Sequence, residues 1–598
     1  GQMIFIVFFF MIRGTSGSKI FPCTACFRSM GKEQKLNKRE RYKAKMRPID
    51  YYKDFETIDF DSLNEADRYY LQDFGIFTTD FLEGEYTIRI RIPGGRLTCE
   101  QFEAIADIVD EYNLTIILTA RAGIQLHDVE ADDLLEIHKR INELGVSTWQ
   151  SFGDNVRNIV TDPYDGRGKY SKIEVQPIIN QMQDYILKNP RYVGMLPRRV
   201  SIGISGNTAD VVSFFANDIY FGLADKDGEL GFNVYMGGKN TEVARDMDIY
   251  LKKDEIFNFF KAFVEAFYLH GSRFSRARTR VFHMLEDIGI DGMRAHIKTE
   301  YKKDFVSAGK LILEKEKFEE FHELNDGTYG FCYQTDFSRL KADEIKKLSK
   351  YATEHDAEVR FGIDQNIYIL GLKDKTTSLE SPAISQTILA CAGNLCPYAV
   401  WSIKDETSYI PLELINKHQI TVGFSGCAKG CGRHRHTDIG LIGLKTNNFG
   451  DTDGGARVFL GALHSDGQTV GRELFSMVPF VHLNDTLECV IKLFEASKYR
   501  VFEEWAEEVL QNYSERFLSL WVLANLETNQ VIKLEKLDAP KRYEEEKELL
   551  KQEFADLDFW EHVDENFFNA VSYLCKKLWF IGTEDAHYKP KLNRTTFR

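Results

Sequence analysis

Residues 96–127 read RLTCEQFEAIADIVDEYNLTIILTARAGIQLH, and residues 339–370 read RLKADEIKKLSKYATEHDAEVRFGIDQNIYIL. The two stretches align without a gap at an offset of 243 residues (339 minus 96). Their apolar positions coincide first at helical spacing and then in alternation, which is typical of a helix followed by a strand. The matched positions are Leu97, Phe102, Ile105, Ile124 and Leu126 with Leu340, Ile345, Leu348, Ile367 and Ile369. Each stretch is therefore predicted to fold as strand, helix, strand.

A second pair of stretches repeats further along the chain. IGISG at 202–206 aligns with VGFSG at 422–426, and NDIYFGL at 217–223 aligns with TDIGLIG at 437–443, both at an offset of 220 residues (422 minus 202). The order of the stretches predicts two copies of a small α+β domain, each followed by a larger one. Duplicated domains commonly pack about a pseudo-twofold axis, and a ligand at their junction can contact both copies.

The composition excludes several classes of protein. The 598 residues contain 76 Lys plus Arg against 91 Asp plus Glu, a net charge of −15, which argues against a general nucleic-acid binder. Ten cysteines are too few for a disulfide framework and indicate a reducing, cytoplasmic setting. No run of about 18 apolar residues predicts a membrane span. With 43% hydrophobic residues, the chain is predicted to be globular.

Four cysteines cluster in the second copy: Cys391 and Cys396 in ACAGNLCPYA, and Cys427 and Cys431 in SGCAKGCGRH. An offset of 220 places Asn207 and Val211 opposite the last two, so the fold itself does not require these thiols. An iron–sulfur cluster is favoured, because a cubane presents four iron corners that thiolates from two loops can reach. A four-thiolate zinc site, two disulfides and four unconnected thiols remain alternatives.

Arginines recur where the strands of the first half begin or end. They are Arg89 and Arg91 in YTIRIRIPGGR, Arg121 in TARAGIQLH, Arg157 beside Asn158 in DNVRNIV, and Arg198 and Arg199 in LPRRVSIG. Any single one could be an exposed side chain on a strand edge. As a set in an acidic chain, they predict a pocket for a polyanionic ligand, because guanidinium groups bind carboxylates bidentately.

The segments RIRIPGG, TARAGIQLH, VRNIV, LPRRV and SGCAKGCG, in this order on a twofold repeat, resemble the sulfite and nitrite reductase family that carries sirohaem and a [4Fe-4S] cluster. The resemblance covers roughly residues 63–492, and the segment HGSRFSRARTRVFHMLEDIGIDGMR from His270 shares it. It implies an α+β fold of duplicated ferredoxin-like and larger α+β domains. Beyond the resemblance, apolar residues at helical spacing in 499–598 predict a helical C-terminal extension. The implied reaction is a six-electron reduction of sulfite to sulfide or of nitrite to ammonia.

The resemblance also implies roles for particular residues. Cys391, Cys396, Cys427 and Cys431 would ligate the cluster, and Cys431 would bridge it to the sirohaem iron. Sirohaem in this family bears eight carboxylates, which Arg91, Arg121, Asn158 and Arg198 would support. The catalytic residues Arg89, Arg157 and Arg199 would bind the substrate anion and organise protons.

Two positions depart from the family pattern. Cys391 and Cys396 are spaced C-x4-C, one residue closer than the usual C-x5-C. Arg199-Val200-Ser201 stands where the sulfite enzymes have Lys-x-Lys and the nitrite enzymes Lys-x-Asn. Loss of one positive charge weakens binding of dianionic sulfite more than of nitrite, so the substitution leans towards nitrite without deciding the substrate.

The electron donor is expected to be a separate protein, ferredoxin or a flavoprotein, because no glycine-rich dinucleotide-binding motif is present. The expected domains are a disordered or non-native leader at 1–45, an N-terminal arm with the first ferredoxin-like repeat at 46–150, and a first sirohaem-binding domain at 151–310. A second repeat at 311–375, a cluster and sirohaem domain at 376–498 and a helical extension at 499–598 follow. The alternative function is a cofactor-free or zinc-bound binding protein on the same fold.

Overall fold

The computed structural model describes residues 35–79, 84–382, 387–404, 406–449, 452–463, 469–513 and 515–528. Within these ranges no helix has both the length and the apolarity that crossing a membrane would need. The C-x2-C of Cys23 and Cys26 lies outside the described residues, as does most of the leader.

The first small domain is an antiparallel sheet covered by helices, and a short N-terminal arm precedes it. The arm contains α1 (Lys38–Lys45), α2 (Pro48–Tyr51) and α3 (Glu65–Leu71). The domain contains β1 (Ile76–Phe77), β2 (Glu85–Ile90), β3 (Arg96–Leu97), α4 (Cys99–Glu111), β4 (Thr115–Leu118), β5 (Ile124–Glu130) and α5 (Ala131–Glu143). Helix α4 begins at a capping box between Thr98 and Gln101 and buries Phe102 and Ile105.

The first large domain follows, built on a sheet in the order β11-β10-β9-β7-β6. Its elements are β6 (Val156–Val160), α6 (Gln176–Leu187), β7 (Val200–Ser205), β8 (Ala209–Asp210), β9 (Ile219–Lys226), β10 (Glu229–Met236), β11 (Arg245–Leu251), α7 (Ile256–His270) and α8 (Val281–Tyr301). Strands β12 (Lys310–Leu311) and β13 (Glu314–Lys315) lead towards the second half.

The second half repeats both domains. Its small domain contains β14 (Phe321–Glu323), β15 (Tyr329–Tyr333), β16 (Arg339–Leu340), α9 (Ala342–Glu354), β17 (Glu358–Phe361) and β18 (Ile367–Leu372). Its large domain contains β19 (Ile388–Ala390), α10 (Leu412–Lys417), β20 (Val422–Ser425), β21 (Ile439–Phe449), β22 (Thr452–Leu460), β23 (Arg472–Pro479) and α11 (Phe480–Glu495). The sheet order is β19-β20-β21-β22-β23.

The registers confirm the predicted repeat. Strand β7 pairs Ile202 with Ile219 in parallel, and β20 pairs Val422 with Ile439, each 220 residues later. The two small domains also exchange a strand, because β16 joins β4 of the first sheet and β3 joins β17 of the second. The mixed α+β fold and the strand–helix–strand pattern are therefore as the sequence predicts, and the two small domains share one core.

The predicted helical extension is present in its described part. Helices α12 (Phe502–Asn512) and α13 (Glu515–Thr528) bury Trp505, Leu510 and Trp521 against the core of the second large domain. The remainder of the extension, 529–598, lies outside the described residues.

The structure corrects the leader boundary at residue 45. Helix α1 is folded within that range, and its Lys43 is only 2% exposed. The sequence of α1 is almost entirely polar, so it resembles a solvated tail. Buried ion pairs, rather than an apolar face, hold this helix on the domain. The other domain limits stay predictions.

A group of buried carboxylates lies in the first half, at the position that corresponds to Cys391 in the second half. Strand pairing places Ile159 opposite Ile202 and Ile388 opposite Val422, so Asp162 is the counterpart of Cys391. Burial, together with Glu316, raises the pKa of Asp162 to about 8. Burial also raises the pKa of Glu316 to about 8, and burial and Asp162 raise that of Asp210 far above its usual range.

These groups should make the protein less stable as pH rises. The folded state keeps protons that an unfolded Asp or Glu releases near pH 4, so stability present at low pH is lost between about pH 4 and pH 8. We expect Asp210→Asn to match the wild type at pH 4 and to unfold about 3 °C higher at pH 8. Thermal unfolding at both pH values measures this, and an unchanging difference would contradict it.

Candidate active site

A cavity of about 650 Å³ lies between the two halves and is strongly cationic. It is lined from the first half by β2, β4, β5 and the loops at 151–158 and 198–199, and from the second half by residues 390–399 and 425–433. The described residues that line it include no Asp or Glu. They include Lys429 and ten arginines: Arg39, Arg89, Arg91, Arg121, Arg157, Arg198, Arg199, Arg276, Arg280 and Arg433. The predicted pocket for an anion is therefore present in an acidic chain.

Three of these arginines have donors without a protein partner. The Nε atoms of Arg121 and Arg198 are buried with no hydrogen-bond acceptor, and Arg199 makes no hydrogen bond within the part of the chain that the structure describes. Burial, with Arg433 and Arg89 nearby, lowers the pKa of Arg121 to about 9, so it stays charged at neutral pH. Buried charges without counterions are costly unless a ligand pairs with them. These three residues therefore fit an anionic group.

Arg89 points along the same wall on β2. Its guanidinium stacks on the ring of Phe152, 3.7 Å from the ring centroid, and Nη1 donates to the carbonyl oxygen of Ser151 at 3.2 Å. Burial lowers the pKa of Arg89 to about 9, while the thiol of Cys431 favours its charged form. Arg89 therefore lies near the second cysteine pair.

Arg157 and Asn158 bind protein groups around the cavity. Arg157 donates to the carbonyl oxygens of Ser151 and Gly153, each at 2.9 Å, which fixes the loop that begins the first large domain. Asn158 Nδ2 donates to the carbonyl oxygens of Ile92 and Arg121, each at 2.8 Å, while its Oδ1 has no partner.

Arg91 differs from the others because its guanidinium is already occupied. It is fully buried, and it donates to Gln183 Oε1 at 3.1 Å and to the carbonyl oxygens of Gln150, Val156 and Arg157 at 3.1, 2.6 and 3.1 Å. Four of its five N–H donors are thus used within the protein. These contacts support a scaffolding role.

The four cysteines of the second half line one wall of the cavity as free thiols. Cys391 follows β19 and Cys396 follows a single 3-10 turn at Gly393–Leu395, which spans the short C-x4-C interval. Cys427 and Cys431 lie in the loop after β20. The backbone N–H groups of Gly426 and Gly393 point at Cys391 Sγ, at 3.1 and 3.4 Å.

Two of the thiols, those of Cys391 and Cys396, feel the charge of Cys431. Burial raises the pKa of Cys391 to about 11, and the Cys431 thiol adds to that rise. Burial raises the pKa of Cys396, with Cys431 and Cys427 contributing. Among the described residues, no group of three or more His, Cys, Asp or Glu could hold a single metal ion. The four thiols are free and lie on one cavity wall, as a shared metal cluster would require.

Ser201, the uncharged residue at a position that departs from the family pattern, does not line the cavity. It is 1% exposed, and its N–H and hydroxyl both donate to Asp218 Oδ2 at 2.8 Å. Asp218 in turn accepts two bonds at 2.9 Å from Arg280 Nη2. Thr421 and Asp438 repeat the N–H bond at 2.8 Å in the second half.

The sequence analysis missed several cationic lining residues. Arg276 and Arg280 lie inside the quoted segment from His270, and Arg433 comes two residues after Cys431, so position relative to these motifs was a usable signal. Arg39 carried no signal, because it lies in the segment assigned to the leader.

A cationic cavity beside four thiols, at the junction of the duplicated domains, is the kind of site that a redox cofactor occupies in an oxidoreductase. Two family models match it: the ferredoxin-like half domain of nitrite/sulfite reductases over residues 82–144, and the nitrite and sulphite reductase 4Fe-4S domain over residues 152–305. Both models describe domains of the nitrite and sulfite reductase family. The second match falls on the first copy of the large domain, whereas the cysteines lie on its repeat.

Similar proteins span most of the chain. A ferredoxin–nitrite reductase of Synechococcus elongatus is 27% identical over 500 residues, 77% of this chain and 98% of that protein. An assimilatory ferredoxin-dependent nitrite reductase of Haloferax mediterranei is 25% identical, covering 71% of this chain and 82% of that one. The structure of the Mycobacterium tuberculosis NirA protein superposes with a TM-score of 0.72 at 22% identity, covering 80% and 97% of the two chains. This superposition confirms the fold.

Proposed function

We propose that the protein reduces nitrite to ammonia with six electrons from ferredoxin, using a [4Fe-4S] cluster and sirohaem. The observation that carries the proposal is the cavity wall with ten arginines, one lysine and no described acid, closed on one side by four thiols. An anionic macrocycle and an anionic substrate would both find counter-charges there.

The residues present fit the two cofactors. Cys391, Cys396, Cys427 and Cys431 would hold the cluster, with Cys431 as the bridge to sirohaem, and the N–H groups aimed at Cys391 would stabilise a thiolate. When bound, the cofactors would relay the electrons of the donor and supply an iron that binds the substrate. The carboxylates of sirohaem would pair with Arg121 and Arg198, whose Nε atoms have no protein acceptor.

The other cavity residues would bind and orient the substrate anion. Arg89 and Arg199 would place positive charge in the cavity near Cys431, and Arg199 contributes to the lowered pKa of Arg89. Arg157 would present the loop at 151–153 and add a third positive charge. Asn158 would orient Arg121 through its backbone carbonyl, and Arg91 would hold the strand and loop beneath. Guanidinium donors placed in this way can stabilise charge that develops as oxygen leaves as water.

Nitrite is favoured over sulfite by two observations. Ser201 contributes no charge and lies outside the cavity wall, and the similar proteins above are named nitrite reductases. With one artificial donor, we expect kcat/KM for nitrite to exceed that for sulfite by at least about tenfold. An equal or larger value for sulfite would reverse the assignment.

Metal analysis separates the enzyme from the alternative, a cofactor-free or zinc-bound binding protein on the same fold. The proposed enzyme should contain about five irons per chain, four from the cluster and one from sirohaem, together with about four labile sulfides, and it should show sirohaem absorption. A colourless preparation that contains only zinc would support the binding protein instead. Ferredoxin is preferred to a flavoprotein as the donor because the similar proteins are named for it. We place the enzyme in the cytoplasm on its cysteine usage.

A further inference from the structure

Helix α1 is fastened at its first turn to the segment at 270–280. Asn37 caps the helix, because its Oδ1 accepts the N–H groups of Arg39 at 3.0 Å and Glu40 at 3.2 Å. The backbone and side-chain N–H groups of Asn37 both donate to the carbonyl oxygen of Arg273, at 3.1 and 2.8 Å. The start of the helix therefore has a fixed position relative to this segment.

Lys43 connects the same helix to two loops of the first large domain. Its Nζ lies 2.6 Å from Glu40 Oε1 and 2.9 Å from Asp154 Oδ2, and donates to the carbonyl oxygen of Leu196 at 2.7 Å. A buried ammonium is costly unless its donors are paired, and all three donors of Lys43 are paired. Removing its charge would leave Glu40 and Asp154 without this counterion.

The carboxylates of Glu40 and Asp154 each bind an arginine as well as Lys43. Asp154 accepts from both terminal nitrogens of Arg276, at 2.6 and 2.8 Å, and Glu40 accepts from Arg273 Nη1 at 2.8 Å. Arg276 lines the cavity, whereas Lys43 does not. The ion network that starts at Lys43 therefore ends at the cavity wall.

Several segments that line the cavity also contribute to, or lie next to, this ion network. Asp154 is three residues before Arg157, and Leu196 is two residues before Arg198. The segment at 270–280 supplies further lining residues, and helix α1 supplies one of its own. The lining residues that these pieces carry are Arg39, Arg157, Arg198, Arg199, Arg276 and Arg280.

We infer that helix α1, acting through Lys43, positions the cavity arginines around the carboxylates of the bound macrocycle. The inference rests on the proposed function. Lys43 is a positioning residue, because it reaches the cavity only through Asp154 and Arg276. Loss of its charge would loosen the hold on a polycarboxylate ligand, while the core of the second half would keep its packing.

The test follows sirohaem release from the purified holoprotein carrying Lys43→Met, which removes the charge and keeps an unbranched side chain. The decay of the sirohaem absorption after dilution should be at least about tenfold faster than in the wild type. Lys45→Met, on the exposed side of the same helix, should leave the decay unchanged. Leu487→Ala, in the core of the second half, lowers the thermal midpoint without touching the network and controls for lost stability.

The inference would be overturned if Lys43→Met released sirohaem no faster than the wild type. It would also be overturned if Leu487→Ala, with an equal drop in thermal midpoint, released sirohaem as fast as Lys43→Met. If Lys43→Met does not accumulate as folded protein, Asn37→Ala tests the same connection with an expected decay about threefold faster. A wild-type preparation without sirohaem would overturn the proposed function and this inference together. Coloured proteins with equal decay would overturn the inference alone.

Discussion

Cys431→Ser is expected to yield a folded protein that lacks its iron–sulfur cluster and its activity. A serine hydroxyl is a far weaker ligand for iron than a thiolate, and the proposed bridge to sirohaem would be lost with it. Iron should fall from about five atoms per chain to about one or fewer, and nitrite turnover should fall by at least about a thousandfold. Iron and sulfide analysis with visible spectra measures both.

Cys489→Ser is the matched control for this experiment. Cys489 lies in the same half, packs against the large-domain core, and does not line the cavity. This variant should keep its iron and its activity. Full iron content in Cys431→Ser would contradict the assignment of that thiol as a cluster ligand.

Arg199→Gln should lower kcat/KM for nitrite by about a hundredfold to a thousandfold and leave the cofactor content unchanged. Removing one preorganised donor that faces developing charge costs about 3–4 kcal/mol in the transition state. Arg199 is suited to this role because its guanidinium makes no hydrogen bond within the described part of the protein.

Two measurements separate this effect from a loss of folding or of cofactor. Sirohaem absorption and iron per chain should equal those of the wild type. Arg191→Gln, which removes an exposed arginine paired with Glu265, should leave kcat/KM unchanged. If Arg199→Gln loses sirohaem instead of affinity for nitrite, Arg199 supports the macrocycle and the proposed division of roles is wrong.

The repeated architecture was predictable from sequence because it rests on local patterns. The alignment of Leu97 with Leu340 and of Ile202 with Val422 predicted the repeats, and the strand registers confirm them. The exchange of β3 and β16 between the two sheets was not predicted. It depends on pairing between distant residues, which carries no local signal.

The candidate site was predictable only where motifs mark it. Arg89, Arg121 and the four cysteines lie in distinctive segments, and the structure places all of them on one cavity. Arg91 shows what a motif cannot predict, because the sequence around it does not indicate that its N–H groups donate to backbone carbonyl oxygens. The burial of Lys43 was also not predictable, because it pairs with Asp154, which is distant in sequence. The local sequence of the helix is polar and resembles a solvated tail.

The two halves use equivalent positions for opposite purposes. Offsets of 243 residues place Cys332 opposite Arg89 and Asp364 opposite Arg121, and Asp162 stands opposite Cys391. In the small domains the first copy faces the cavity and the second copy buries the equivalent positions, whereas in the large domains the second copy faces the cavity and the first buries the equivalent position. After a duplication, one copy can in this way gain a residue for binding a cofactor, while the equivalent position of the other copy stays in the packed interior.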